Sequence, residues 1–111
     1  MGGERAAELA LQALKSKFLD SLEYRLLELE NATTACRRRP TRAAFEDLSS
    51  LLHKLSGIAA SFGFPNIGQQ AQSAELLISQ ALHGEPHANW ESKALTQVEA
   101  LMDDIESVLE S

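Results

Sequence analysis

Among the side chains able to do chemistry, six stand out by type or placement: His53, His83, His87, the single cysteine Cys36, and the adjacent pair Ser49-Ser50. Near neutral pH a histidine is a nucleophile, a proton carrier or a metal ligand. His83 and His87 flank Gly84-Glu85-Pro86. Two histidines and a carboxylate can bind zinc where a fold holds them together, but the intervening glycine and proline read first as a turn. Neither His53 nor His83 has a glutamate three residues before it, so the paired Glu-x-x-His elements of a metal-binding bundle are missing. No metal site is expected. Ser49-Ser50 lacks the Gly-x-Ser-x-Gly elbow of a hydrolase nucleophile. Cys36 has no activating partner and reads as a small buried or loop hydrophobe. A lone cysteine excludes an internal disulfide and suits a reducing compartment.

His53 is different because of its neighbours. On a helical wheel at roughly 100° per residue, Phe45, Leu48, Leu52, Leu55, Ala59 and Phe62 form an apolar arc centred roughly 130° from His53. The imidazole therefore points away from the core. Around it, at helical spacings, stand Ser49, Ser50, Ser56, Gly57 and Ala60, all small. A solvated helix face ordinarily carries Glu, Lys, Gln and Arg. A glycine inside a helix costs about 1 kcal/mol against alanine, so Gly57 asks for a reason. A flat surface that lets a protein or a phosphate reach the ring supplies one. An isolated exposed histidine is ordinarily only solvated; the small-residue collar sets this one apart.

The elements that must position His53 follow from the breakers. Pro40, Pro65 and Pro86 divide the chain into four stretches, all with a helical period and none with sustained strand alternation. The first, over about 5–36, carries Leu11, Leu14, Phe18, Leu22, Leu26 and Leu29, either as one helix or as a short N-terminal helix followed by a longer one. Arg37-Arg38-Arg39-Pro40 ends it. The second starts near Thr41, a good N-cap, and ends near Gly63. The third starts at Pro65-Asn66 and carries Ile67, Ala71, Ala74, Ile78 and Leu82. The fourth starts near Asn89, with Trp90 packing at its start, and carries Leu95, Val98, Met102, Ile105 and Leu109. Asp103, Asp104 and Glu106 fill its outer face. The expectation is all-α: an antiparallel up-down-up-down four-helix bundle forming one domain over 1–111.

The chain has 111 residues, a net charge of −6 and 44% hydrophobic residues, which fits one globular domain with its own core. No stretch has the roughly 18 apolar residues of a membrane helix, and the N-terminus has no signal-peptide core. Ala6 stands where a myristoylation signal needs Ser or Thr. Arg37, Arg38, Arg39 and Arg42 form a basic patch in an acidic chain. It reads as a helix C-cap cluster, and without interleaved aromatics it does not suggest nucleic acid. The expectation is a cytoplasmic monomer that binds neither membrane nor nucleic acid.

The segment from His53 to Gly68, together with Glu75, resembles the signature of histidine-containing phosphotransfer (HPt) domains. The matching positions are His53, Leu55, Ser56, Gly57, Ala59, Gly63, Ile67 and Glu75. The helix order agrees with that family over most of the chain. The resemblance implies a four-helix bundle with an exposed histidine midway along the second long helix. It implies that His53 accepts a phosphoryl group from a receiver-domain aspartate and passes it to another, with no kinase activity and no ATP. The partners would be receiver domains of response regulators or hybrid histidine kinases. This chain would need no cofactor, magnesium residing on the receiver. One position departs from the family: many members carry lysine where this chain has Ser56, and Lys54 stands one residue after His53 instead.

An imidazole that carries phosphate needs one nitrogen as nucleophile and the other holding the proton. Glu75 is the candidate acceptor for that proton's hydrogen bond, by its match to the family's Gln/Glu position. Lys54 and Ser56 are candidates for stabilising the phosphate, by charge and by a hydroxyl donor. Gln69 and Gln72 either line the same groove or are plain surface. With Ser49, Ser50, Gly57 and Ala60 they make up the expected partner face. The alternative is a non-catalytic helical adaptor that binds a receiver or kinase without carrying phosphate; Ser56 in place of lysine is its motive.

Overall fold

Helix boundaries fall where a cap or a breaker stands. The structure, a computed structural model, describes residues 2–111 and contains four helices: α1 (Gly2–Arg38), α2 (Arg42–Ser61), α3 (Pro65–His83) and α4 (Trp90–Glu110). Thr41 caps α2, its hydroxyl accepting from the Ala44 amide at 3.2 Å. At the other end Gly63 follows the cap residue Phe62 with φ of +83°. The amide of Gly63 donates to Ala60 O and that of Phe64 to Ala59 O, the paired bonds of a Schellman ending, which place the glycine in left-handed backbone. Pro65 opens α3, where a missing amide is harmless. Asn89, one of the few residues that tolerate left-handed backbone, precedes α4 with φ of 62°.

α1 is a single unbroken helix. The alternative of a short helix ahead of it does not hold, because no proline or glycine interrupts the chain between Gly3 and Arg38. α1 packs on α2 and α4, and α3 packs on the same two, closing a four-helix ring. The connections are short, so successive helices run antiparallel.

The core follows the expected stripes, except that Leu26, Phe62 and Leu82 are only partly buried and that α4 and the start of α1 differ. Phe18, Leu22, Leu29, Phe45, Leu48, Leu52, Leu55, Ala59, Ile67, Ala71, Ala74, Ile78, Val98 and Ile105 are all buried. In α4 the buried line is Ala94, Val98, Leu101 and Ile105, while Leu95, Met102 and Leu109 pack at its edge. In α1, Leu11 and Leu14 are 54% and 48% exposed. The reason is length: α1 spans about 56 Å against about 30 Å for the others, so its first turns outrun the bundle. Phe18 closes that end of the core, its ring centroid 5.2 Å from Phe62 and 5.0 Å from Phe64. Phe45 and Trp90 meet at 4.7 Å near the other end.

Two arginines of the expected basic patch engage different helices. Arg37 and Arg38 lie in the last turn of α1, where cations suit the helix C-terminus, and Arg37 pairs with Glu99 on α4. Arg42 serves a different helix, donating to the Leu82 carbonyl at the end of α3 at 2.8 Å and to Glu46 at 2.9 Å.

Cys36 is buried in the core. Burial pushes its thiol above the ordinary value, and the nearby Asp47 carboxylate adds to the effect. A disulfide reagent at mildly alkaline pH is therefore expected to leave the native protein unmodified and to titrate one thiol after unfolding in urea. Rapid modification of the native protein would contradict the assigned burial. No helix of the described residues is long and apolar enough to cross a membrane.

Candidate functional site

His53 sits near the middle of α2, between the buried Leu52 and the exposed Lys54, with its side chain three-quarters exposed. α3 lies against this face. Its Glu75 extends toward the ring, and Oε1 is 2.9 Å from His53 Nδ1. The carboxylate is the more sheltered partner, 25% exposed against 75% for the imidazole. A carboxylate only accepts, so in the neutral ring the Nδ1–H donates to it. That leaves Nε2 as the unprotonated nitrogen of a ring open to solvent. Chemically, such an arrangement can serve as a nucleophile whose tautomer is favoured by a fixed acceptor.

Two shallow clefts flank the pair. One is lined by His53, Ser56, Gln72, Ser73, Glu75, Leu76 and Ser79. The other runs along α2 past Ser49, Ser50 and Glu46 to Leu82 and His83. Ser49, Ser50, Ser56 and Gln72 line these clefts together with His53 and Glu75. Gln69 does not: it lines a groove with Asn66, Ser73, Gln97 and Ala100, between α3 and α4. Six residues before Glu75 amounts to roughly 240° of helical rotation, which turns Gln69 away from α2. Lys54 is exposed, next round the helix from His53, and does not line either cleft. The Ser56 hydroxyl donates to the His53 carbonyl at 2.9 Å, so its proton is engaged with the backbone.

The two glycines of this region do opposite jobs. A Cβ on Gly57 would meet nothing within 4 Å, so no internal contact demands glycine there. Its absent side chain flattens the outer surface beside His53. Gly68, by contrast, is buried, and a Cβ there would come within 3.2 Å of the Ser56 carbonyl and 3.4 Å of the Ala60 amide. It lets α3 approach α2 closely one turn beyond the histidine, which keeps Glu75 in reach. Reasoning from sequence missed Gly68, Ser73 and Ser79. The cost argument that singled out Gly57 applies equally to a glycine inside α3 and was the available signal for Gly68.

His83 ends α3 and does more than shape a turn: its Nδ1 lies 3.4 Å from the Arg42 guanidinium, at the far end of the second cleft. His87 lies in the connection to α4. Among the described residues no group of three or more His, Cys, Asp or Glu side chains is arranged to hold a metal ion.

The sequence matches the family model of the Hpt domain over residues 13–108. The chain belongs to the Hpt domain family, whose members act in phosphotransfer in two-component signalling and engage response-regulator receiver domains. No match was found among the curated proteins.

Proposed function

We propose that this protein is a phosphoryl carrier that relays phosphate between receiver-domain aspartates through His53. The observation that carries the reading is the 2.9 Å contact between His53 Nδ1 and Glu75 on an otherwise exposed ring. The Nε2 lone pair attacks the phosphorus of a receiver's aspartyl phosphate. The P–N bond forms, the P–O bond to aspartate breaks, and the aspartate leaves as a carboxylate. The Nδ1 proton stays on the ring, and Glu75 offsets the positive charge the imidazole gains as the bond forms. Transfer onward reverses the step on a second receiver. The protein's share of the work is positioning, as expected for phosphoryl transfer.

The partners are receiver domains of response regulators or hybrid histidine kinases, in the cytoplasm. Their magnesium stays with them, and the carrier needs no cofactor of its own. Lys54 supplies the nearest positive charge for the bound phosphate by swinging its long stem toward the ring. The Ser56 hydroxyl reaches a phosphate oxygen only by leaving the His53 carbonyl. That engagement is the one observation favouring the adaptor alternative, in which the protein binds a receiver and carries no phosphate. Incubation with a phosphorylated receiver and magnesium decides between the two: label moves to the carrier, and stays on the receiver with an adaptor.

Gly57 gives a further expected outcome. Because a side chain there meets open space, Gly57→Gln should raise stability by about 0.5–1 kcal/mol through helix propensity. The same change should slow transfer by about tenfold or more, since the new side chain stands where a receiver must approach. Thermal melts and transfer rates measured on one preparation check both signs. A more stable variant with unchanged rates would remove the access argument for Gly57.

A further inference from the structure

Every residue from Gly2 to Lys17 is exposed, so α1 projects about 24 Å past the point where Phe18 enters the core. This overhang is not uniformly polar. Ala7, Leu11 and Leu14 continue the helical line that buries Phe18 and Leu22, all within an arc of about 80°. Leu11 and Leu14 nevertheless stand half-exposed, with no helix of the bundle long enough to cover them. The seam has the four-three-four spacing of a coiled coil: Ala7, Leu11, Leu14, Phe18.

Charge selects the occupant. One flank of the seam carries Glu8 toward the N-terminus and Lys15 toward the bundle, while Glu4, three residues before Ala7, continues the seam line itself. Such a flank complements itself when two copies run antiparallel, because the same flank of each helix then meets end for end. In a parallel pair it would meet the opposite flank, Gly3-Ala10-Lys17, and Glu8 would have no cation at its height. We propose that the α1 overhang pairs antiparallel with the same segment of a second copy of this chain. Leu11 then lies against the partner's Leu14 and Glu8 stands opposite the partner's Lys15, with the partner's helix diverging before Phe18, whose inner face Phe62 and Phe64 already cover. The two-fold axis forms each contact twice. The expected monomer is then the dilute form of a reversible dimer. A seam this short places the contact among weak, concentration-dependent interfaces.

Analytical ultracentrifugation over a micromolar-to-millimolar range tests this. The wild-type chain should pass from monomer to dimer as concentration rises. The double variant Leu11→Glu, Leu14→Glu should remain monomeric with unchanged helical circular dichroism, since both positions lie outside the core. Glu8→Lys should weaken the dimer by about tenfold, because two attractive pairs become repulsive. Combining it with Lys15→Glu should restore the wild-type constant. A chain that is monomeric throughout overturns the proposal. So does a dimer indifferent to the leucine substitutions, or one that the paired charge reversal fails to rescue.

Discussion

His53→Gln is expected to accept no label from a phosphorylated receiver while keeping the wild-type circular dichroism spectrum and melting temperature. The loss should be complete, down to the background of a protein without an acceptor. The reason is chemical: glutamine has no ring nitrogen with a nucleophilic lone pair. The other histidines do not substitute, because among the described residues neither has a carboxylate placed as Glu75 is on His53. His83 Nδ1 instead lies 3.4 Å from the Arg42 guanidinium, a cation. Stability should not change, since the side chain is three-quarters exposed and lies outside the core. Receiver binding should survive, because the small-residue face remains. Uptake at the wild-type level in this variant would move the acceptor elsewhere.

Glu75→Leu is expected to slow transfer by about ten- to hundredfold, the range typical of removing a group that orients a reactive histidine. Two losses combine. The proton is no longer held at Nδ1, so part of the population presents the wrong tautomer. The charge that develops on the ring in transfer also loses its counter-ion. The penalty stays below that of a buried catalytic triad because water reaches the exposed ring and replaces part of the hydrogen bond. Glu75→Gln separates the two contributions. Its side-chain oxygen can still accept from Nδ1–H, so it should recover the tautomer and not the charge. Its rate should fall between those of wild type and Glu75→Leu. If all three rates coincide, the contact between α2 and α3 has no part in transfer.

The bundle was legible because prolines and caps punctuate it: Thr41, Gly63, Pro65 and Asn89 stand at or next to the observed boundaries. The outward direction of His53 was legible from the wheel, since the buried arc of α2 is complete without it. The pairing of His53 with Glu75 came from family resemblance; spacing alone left Glu75 an ordinary helix carboxylate. What stayed hidden depends on relations between helices. Leu11 and Leu14 read as core because amphipathicity shows that a stripe exists but not whether a neighbour is long enough to cover it. The buried line of α4 passes through Ala94 and Leu101 because the packing of two neighbours decides which side of a broad apolar face turns inward. Gln69 falls in the groove with α4, which its rotation from Glu75 already implied. The Ser56 hydroxyl turns back to the His53 carbonyl, a local option open to any helical serine and invisible without coordinates.

The central claim is that the phosphoryl group resides on Nε2 of His53 because Glu75 holds the proton on Nδ1. Nitrogen-15 and phosphorus-31 NMR of the histidine-labelled protein, after transfer from a phosphorylated receiver, tests it directly. The expected spectrum shows one phosphohistidine, substituted at Nε2, whose signals disappear in His53→Gln. A phosphoryl group at Nδ1 of His53, on another residue, or absent from the protein altogether would contradict the account.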